Sequence, residues 1–338
     1  MRQIWISKPG GPEKLQLQEA PTPLPRGGEV RIRVEACGVN FADAMARMGV
    51  YRDAPKMPFI PGFEVAGVVD AIGQGAPDLQ EGDTVFALTR FGGYSDMVCV
   101  PHQQVFKRLS WMKAEDAAAF PLNYLLAYLM LVVMGSLRAG DKVLIHSAAG
   151  GLGLAALDIC QIMGAETYGT ASPDKHDFLR GRGLRHPIDY RNQDFEVVLN
   201  DITGGRGVQV ILDPFGGRFW QKNYRLLMPT GRLIHYGLRS LAPTKKRSWA
   251  TAVRELIMLP FYTPIKLMDD NKAVMGVNIN HLWQHDTLYR EWMKQLIGWY
   301  DEALFRPAID RTFRFEQAAA AHHYIQDRKN RGKVLLIP

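Results

Sequence analysis

The sequence predicts an α/β protein with two domains: a mostly antiparallel β domain in residues 1–121 and a doubly wound parallel sheet in residues 122–280. Two observations support this fold class. The first 121 residues contain short β-type runs separated by turn signals such as PRGG and EGD. Strand-like runs then alternate with helix-length segments, which is typical of right-handed βαβ units. The length of 338 residues allows two separate hydrophobic cores.

Each element is justified by its own pattern. The strands of the first domain are predicted at EVRIRVEA, EVAGVVDAIG, DTVFAL and YSDMVCV. A long helical stretch, LNYLLAYLMLVVMGSL, begins the second domain, and its strands are predicted at KVLIH, GVQVILD, GRLIHYG and AVMGVNI. Residues 281–338 contain a helix and the strand-like run GKVLLIP, and we expect them to return to the first domain.

The composition narrows the class of protein. Apolar residues make up 47% and charged residues 22%, as in soluble globular proteins. No apolar stretch is long enough for a bilayer, and the first residues lack the core of a secretion signal. Three widely spaced cysteines predict no disulfide framework, so we expect a cytoplasmic protein. The net charge of +7 comes from scattered basic residues, so no nucleic-acid partner is expected.

The segment SAAGGLG, directly after KVLIH, predicts a dinucleotide-binding turn. Ala148, Gly150 and Gly153 occupy the three small-residue positions of a G-x-G-x-x-G turn, with Gly151 and Leu152 between the last two. Small residues let a pyrophosphate approach the backbone, and free amide groups at a helix start favour its negative charge. A strand before the turn and a helix after it make this interpretation specific.

The end of the next predicted strand favours NADPH over NADH. The sequence reads GTASPDKH, with Ala171 where NAD sites usually have an acidic residue. Without that carboxylate a 2′-phosphate is not repelled. Ser172 and Lys175 offer a hydroxyl and an ammonium group to bind it.

The N-terminal half adds a resemblance to a known family. The stretch ACGVNFADAMARMGVYRDAPKMPFIPGFEVAGVV resembles the medium-chain dehydrogenase/reductase superfamily. Where its zinc alcohol dehydrogenases have cysteine and histidine ligands, this chain has Asn40 and Phe63, which cannot replace them. The chain therefore resembles the zinc-independent quinone oxidoreductase branch, and within it the vesicle amine transport protein homologues, through stretches such as CGVNFAD, GTASPDKHDFL and KNRGKVLLIP.

This resemblance implies a GroES-like β-barrel domain plus a Rossmann domain that binds NADPH. It places Asn40 beside the nicotinamide, and it adds Tyr190 to Ser172 and Lys175 at the 2′-phosphate. The chain departs from the family at Leu126, where threonine is usual. Asn123 is a polar residue that remains near Leu126, and we include it among the cofactor contacts. The further contacts that the resemblance implies are Phe215, Gly216, Tyr236, Gly237 and Asn330.

The predicted reaction is hydride transfer from NADPH to a small-molecule quinone or conjugated enone, because such an acceptor is already polarised. Asn40 and Tyr51 are the catalytic candidates. Tyr51 aligns with a tyrosine that enoyl thioester reductases of this superfamily use, and it would donate the proton or only line an aromatic wall. Two alternatives stay open: an enoyl thioester reductase, and an NADPH-binding protein with a lipid or membrane role and little turnover.

Further expectations concern the surfaces and the remaining polar residues. The edge strand AVMGVNI predicts a homodimer. The segment 240–276, which ends within that strand, mixes basic and aromatic residues and could contact a membrane, cover the pocket, join the dimer or simply pack locally. Glu64 is interpreted as an ion-pair or hydrogen-bond partner, and Cys37 as a buried, inert thiol. We expect His146 and His235 in the packed sheet, and His322 at the surface.

Overall fold

A computed structural model describes residues 1–241 and 260–338. They divide into two compact units, one holding residues 1–125 and 280–338 and the other holding 126–241 and 260–279. The expectations for 240–276 therefore lie partly outside the described residues. Among the helices of the described ranges, none is both long and apolar enough to cross a bilayer.

The secondary structure follows the predicted alternation. The strands are β1 (Arg2–Ile6), β2 (Leu15–Glu19), β3 (Glu29–Val39), β4 (Glu64–Ile72), β5 (Thr84–Leu88), β6 (Met97–Pro101), β7 (Val105–Lys107), β8 (Lys142–Ile145), β9 (Glu166–Ala171), β10 (His186–Asp189), β11 (Val208–Asp213), β12 (Leu227–His235), β13 (Ala273–Gly276), β14 (Ile309–Arg314) and β15 (Lys333–Ile337). The α-helices of the described residues are α1 (Phe41–Arg47), α2 (Ala114–Ala119), α3 (Pro121–Tyr128), α4 (Gly151–Ile162), α5 (His176–Gly181), α6 (Phe195–Thr203), α7 (Arg218–Leu226), α8 (Pro264–Asp270), α9 (Asp286–Asp301) and α10 (Ala318–Gln326).

The first unit is organised around β3. This strand is long enough, at 11 residues, to pair antiparallel with β6 along its first half and with β15 near its end. The sheet order is β14-β15-β3-β4-β5-β7, and only the β14–β15 pair is parallel. Val30, Ile32 and Val34 alternate into the core, as a strand with one buried face requires. The end of β3 delivers the chain to Asn40 and the start of α1.

The second unit is a parallel sheet in the order β10-β9-β8-β11-β12-β13. The prediction of a doubly wound sheet is confirmed. The strand order reverses between β8 and β11, and in such sheets ligands bind outside the carboxyl ends of the strands at that point. The segments that leave those two ends begin at His146 and at Pro214, so both carry residues predicted to bind the cofactor.

The long helical stretch before this sheet is helical as predicted, but it is not one regular α-helix. Its first part is α3, and Leu129–Met134 continues as a π-helix. Gly135 is its C-cap, and packing requires glycine there, because a Cβ would lie 2.5 Å from the Met130 carbonyl oxygen.

Candidate functional site

Asn40 sits at the N-cap of α1, where its backbone and side chain are both engaged. Its N–H donates to Asp43 Oδ2 at 2.8 Å, which closes a capping box. Its amide Nδ2 donates to Glu64 Oε1 at 2.9 Å, and Lys333 Nζ donates to its Oδ1 at 2.7 Å. Because one neighbour only accepts and the other only donates, the orientation of the Asn40 amide is fixed.

Glu64 and Lys333 form a buried ion pair beneath Asn40. Their side chains are 0% and 3% exposed. The other carboxylate oxygen of Glu64 accepts from the Leu122 N–H at 2.8 Å, directly before Asn123, so one carboxylate joins two predicted cofactor positions. The prediction that Glu64 is an ion-pair and hydrogen-bond partner is confirmed. Gly38 leaves room for the pair, since a Cβ there would lie 2.7 Å from both Glu64 Cδ and Lys333 Cε.

The ring of Phe63, the residue that the resemblance matches to a zinc ligand, belongs to an aromatic cluster. It lies 6.0 Å from the Tyr51 ring and 4.8 Å from Phe91, measured between centroids. Within residues 1–241 and 260–338, no three His, Cys, Asp or Glu side chains are arranged to hold a metal ion. Cys37 is buried as predicted, and burial raises the pKa of its thiol well above the usual value.

The Tyr51 hydroxyl has a defined hydrogen-bond role. Trp283 Nε1 donates to Asn280 Oδ1 at 3.2 Å, so the Asn280 amide nitrogen faces Tyr51 and donates to its oxygen at 2.8 Å. The Tyr51 oxygen therefore accepts from Asn280 and keeps its own proton available for donation. Burial raises the pKa of Tyr51 to about 12, so the hydroxyl is protonated at neutral pH.

A buried polar chain in the first unit corrects one expectation. His322, expected at the surface, is only 1% exposed, and it lies between Arg47 and Tyr94 at 3.0 and 3.1 Å. Arg47 needs buried acceptors, and α10 supplies His322 Nδ1 together with Gln326 Oε1 at 2.6 Å. Burial raises the pKa of the neighbouring Asp43 to about 7.

The glycines of the predicted dinucleotide turn fall into two kinds. A Cβ at Gly153 would lie 2.5 Å from the Ser147 oxygen and 2.6 Å from the Ala148 oxygen, so packing of α4 on the turn requires glycine there. At Gly150, the N-cap of α4, φ is −79°, and the nearest described atom to a Cβ is the Ser147 oxygen at 3.4 Å. No side chain of the described residues caps α4, so the amides from Gly151 to Gly153 are available to an anion.

The predicted contacts after β11 and β12 are held by Asp213. Its Oδ1 accepts from the N–H groups of Phe215 at 2.6 Å and Gly216 at 3.4 Å. Its backbone oxygen accepts from the Tyr236 N–H at 3.1 Å. Gly237 passes so close to Pro214 that a Cβ would lie 2.8 Å from the Pro214 oxygen.

The predicted 2′-phosphate residues meet at the end of β9. This strand ends at Ala171, whose oxygen accepts from the Tyr190 N–H at 3.4 Å. Ser172 and Lys175 belong to one turn, and both side chains are buried. A hydrogen bond from Ser172 is the main cause that lowers the pKa of Asp174.

Two arginines lie near predicted cofactor-binding residues and were not among the sequence predictions. One is near the 2′-phosphate residues, and the other is between the glycine turn and the loop after β11. Arg191 Nη1 lies 3.8 Å from Asp174 Oδ1, beside Tyr190 in the chain. Arg239 Nη1 donates to Ser147 Oγ at 3.4 Å, and its guanidinium lies over the Phe215 ring at 6.0 Å from the centroid. Arg239 follows Gly237 by two residues, and a basic residue so close to a predicted cofactor loop was the available signal.

The remaining predicted positions belong to the first unit. Asn330 Nδ2 donates to the Gly332 oxygen at 2.9 Å, just before Lys333. Asn123 lies buried in the first turn of α3. The structure thus groups Asn40, Glu64 and Lys333 in one unit, and it brings together the turn at 147–153 and the loop at 213–217 in the other.

Comparison with known proteins identifies the family. Residues 26–110 match the alcohol dehydrogenase GroES-like domain, and residues 182–336 match the family described as zinc-binding dehydrogenase. The synaptic vesicle membrane protein VAT-1 homolog of Rattus norvegicus is 40% identical over 100% of this chain and 84% of its own length. The 2-haloacrylate reductase of Burkholderia sp is 31% identical over 98% of each chain.

Among solved structures, Escherichia coli quinone oxidoreductase complexed with NADPH is 26% identical, with a TM-score of 0.89 over 100% of both chains. The predicted fold class, a GroES-like domain plus a Rossmann sheet, is confirmed. The chain belongs to the medium-chain dehydrogenase/reductase superfamily of oxidoreductases and, within it, to the family of the VAT-1 homologues.

Proposed function

We propose that this protein is an NADPH-dependent, zinc-independent oxidoreductase that transfers hydride to a quinone or conjugated enone. The turn before α4 carries the proposal. Among the described residues, no neighbour is close enough to Gly150 to exclude a side chain, so packing does not explain the glycine. Gly150 is nevertheless the N-cap of a 12-residue helix that no described side chain caps, and it lies at the switch point, where the strand order of the sheet reverses. A cradle that a Cβ would fill, beside open amide groups, fits a pyrophosphate.

The proposed preference for NADPH rests on the end of β9. Ala171 stands where an NAD site usually has an acid, Ser172 and Lys175 follow it in one turn, and Arg191 adds a second cation nearby. The E. coli quinone oxidoreductase, similar over its whole length, was solved with NADPH, which supports the same choice. The three unpaired cysteines fit a reducing compartment such as the cytoplasm.

Asn40 is proposed to orient the nicotinamide. The cofactor, when bound, would supply the hydride, so the protein has to position the nicotinamide and the acceptor and to polarise the acceptor. Lys333 and Glu64 fix the Asn40 amide and use one of its two Nδ2 hydrogens, which leaves the other for a ligand. Because Asn40 and Phe63 provide neither thiolate nor imidazole, we expect acceptors whose carbonyl is activated by conjugation rather than by a metal.

Tyr51 is proposed to deliver the proton that follows the hydride. As hydride adds to the β-carbon of an enone, the electron pair moves to the carbonyl oxygen, and the Tyr51 hydroxyl gives its proton to this enolate. The Asn280 N–H remains bonded to the tyrosine oxygen, so it stabilises the phenolate until solvent returns a proton.

The test is oxidation of NADPH and NADH, followed by absorbance, with an ortho-quinone, an enone and an enoyl thioester as acceptors. We expect acceptor-dependent turnover that prefers NADPH. Lys175→Met should remove about tenfold or more of that preference, the worth of one charge-assisted bond. Equal use of NADH by the wild type would refute the phosphate site, and turnover on the thioester alone would favour the enoyl thioester reductase.

Tyr51→Phe tests the proton donor. We expect a loss of about a hundredfold on the enone, within the usual range for general acid catalysis, and a smaller loss on the quinone. Tyr289→Phe is the matched control, since the Tyr289 hydroxyl in the same unit is buried and has no hydrogen-bond partner among the described residues. Equal rates for the two variants would leave Tyr51 as part of an aromatic wall.

A second role, contact with an anionic membrane surface, is favoured by the residues around α8. Phe261, Ile265 and Met268 are 87%, 71% and 74% exposed, and Lys266 lies among them. Apolar side chains beside a cation suit a lipid interface. Flotation with phosphatidylserine vesicles should carry the wild type upward and leave a Phe261→Ser, Ile265→Ser variant behind. Equal flotation of both would refute this role.

The same unit supports a proposed homodimer. β13 is the edge strand of the parallel sheet, and no strand among residues 1–241 and 260–338 pairs with its outer side, which suits pairing with a second copy. Light scattering after gel filtration should give twice the monomer mass. Because the Val277 N–H donates inward to the His235 oxygen, the N–H groups of β13 alternate and that of Val274 faces outward. Val274→Pro should therefore convert the protein to a monomer, and an unchanged mass would place any dimer contact elsewhere.

A further inference from the structure

Four buried side chains connect the two loops at the switch point of the parallel sheet. Thr170 of β9, His146 after β8, Asn223 of α7 and Asp213 of β11 are each at most 3% exposed. Thr170 Oγ1 lies 3.1 Å from His146 Nδ1, His146 Nε2 lies 2.9 Å from Asn223 Oδ1, and Asn223 Nδ2 lies 2.9 Å from Asp213 Oδ2. We call these residues the loop-connecting chain.

The direction of each hydrogen bond in this chain follows from its acidic end. A carboxylate only accepts, so Asn223 donates to Asp213 through Nδ2 and presents Oδ1 to the histidine. His146 must then carry its proton on Nε2, which leaves Nδ1 to accept from the Thr170 hydroxyl. Burial lowers the pKa of His146 to about 4, so the ring is neutral at neutral pH, as this arrangement requires.

Both ends of the loop-connecting chain reach backbone amides of the predicted cofactor loops. At one end Thr170 Oγ1 accepts from the Ser147 N–H at 3.2 Å, directly before the glycine turn. At the other end Asp213 Oδ1 accepts from the amides of Phe215 and Gly216. Ser147 is a non-glycine residue in the left-handed region, with φ of +56°, so the bond from its N–H to Thr170 helps to hold a strained position directly before the glycine turn.

We propose that the loop-connecting chain is a positioning device that holds the glycine turn and the loop at 213–217 at the separation one dinucleotide requires. This inference rests on the proposed NADPH site and deepens it. Its members are buried and act through the backbone amides they hold, so they are positioning residues. Buried polar groups can often be replaced by apolar residues of similar volume without loss of stability, so core packing alone does not account for this chain.

The test compares two ligands by isothermal titration calorimetry. NADPH should contact both loops, whereas 2′,5′-ADP should contact only the β9 end and the glycine turn. Asn223→Leu cuts the chain, and we expect it to weaken NADPH about tenfold, equivalent to about 1.4 kcal/mol, with 2′,5′-ADP changed less than about twofold. Thr203→Val is the matched control, because Thr203 is also fully buried and hydrogen-bonded in this unit but lies outside both loops.

Two substitutions of His146 separate positioning from simple packing. A glutamine amide reaches the place of Nε2 and can still donate to Asn223, whereas an asparagine amide reaches only the place of Nδ1. We expect His146→Gln to bind NADPH within about twofold of the wild type and His146→Asn to bind it about tenfold more weakly. This pair also decides the matter if Asn223→Leu does not fold.

The outcomes separate the two proposals. Wild-type protein that binds neither ligand would refute the NADPH site itself. If the wild type binds NADPH and the chain variants bind it equally well, the positioning inference is refuted while the NADPH site stands. Equal losses of both ligands, matched by Thr203→Val, would reduce the loop-connecting chain to a contribution to stability and would also overturn the inference.

Discussion

Replacing Lys333 with methionine is expected to lower the free energy of unfolding by about 3–5 kcal/mol, the usual cost of leaving one member of a buried ion pair without its partner. Methionine fills much of the same space, so the loss comes from the charge. Glu64, 0% exposed, would keep its hydrogen bonds from Asn40 and Leu122 but lose the ammonium group that balances it.

A double variant tests whether this magnitude belongs to the pair. Removing both charges by Glu64→Gln with Lys333→Met should bring stability back to within about 1–2 kcal/mol of the wild type. Asn40 would still lose the donor that fixes its amide, because Lys333 Nζ supplies the bond to Oδ1. NADPH binding should therefore remain weak in the double variant although the fold has recovered.

The assay is urea unfolding followed by tryptophan fluorescence, with Lys266→Met as the matched control. Lys266 and Asp270 form an ion pair at the surface, where the side chain of Lys266 is 53% exposed, so the same substitution should cost no more than about 1 kcal/mol. If Lys333→Met costs no more than Lys266→Met, the buried pair does not stabilise the Asn40 site and the reasoning fails.

Two further predictions concern the second unit. Gly153→Ala should lower the melting temperature through a strain of about 1–3 kcal/mol, because its Cβ would meet fixed backbone oxygens. Gly150→Ala should keep the wild-type melting temperature but bind NADPH more weakly. Equal changes in melting temperature for the two variants, measured by calorimetry, would contradict this distinction. His146 has a folded pKa of about 4, so the unfolded chain binds its proton first and the wild type loses stability as pH falls below 6.5. The stability gap between wild type and His146→Gln should therefore be about 2–3 kcal/mol smaller at pH 4.5 than at pH 7, and an unchanged gap in urea unfolding would contradict a neutral buried ring.

The fold and the glycine turn were predictable because their signals are local. A strand, a glycine-containing turn and a helix follow one another within residues 142–162, and the parallel strands recur as short apolar runs. That Ala171, and not an acidic residue, ends β9 is also visible in a single short segment, so the NADPH hypothesis could be formed without a structure.

The partners of the site residues were not predictable, because they come from distant parts of the chain. Lys333 reaches Asn40 across 293 positions, and Arg47 makes His322 a core residue across 275 positions. Asn223 lies on a helix with no motif, and its role is visible only once His146 and Asp213 stand on either side of it. Local patterns report strand and helix faces, but they do not report which buried charge needs which partner.

The separation between Asn40 and Lys333 has a consequence for biosynthesis. The ribosome makes Asn40, Glu64 and the glycine turn long before Lys333, and domains generally fold as the chain emerges. Until β15 joins β3, Glu64 lacks the Lys333 ammonium group and the Asn40 amide lacks the donor that Lys333 supplies. A nascent chain therefore lacks both partners at the proposed nicotinamide position until β15 docks, so we expect incomplete chains to compete poorly for reduced cofactor.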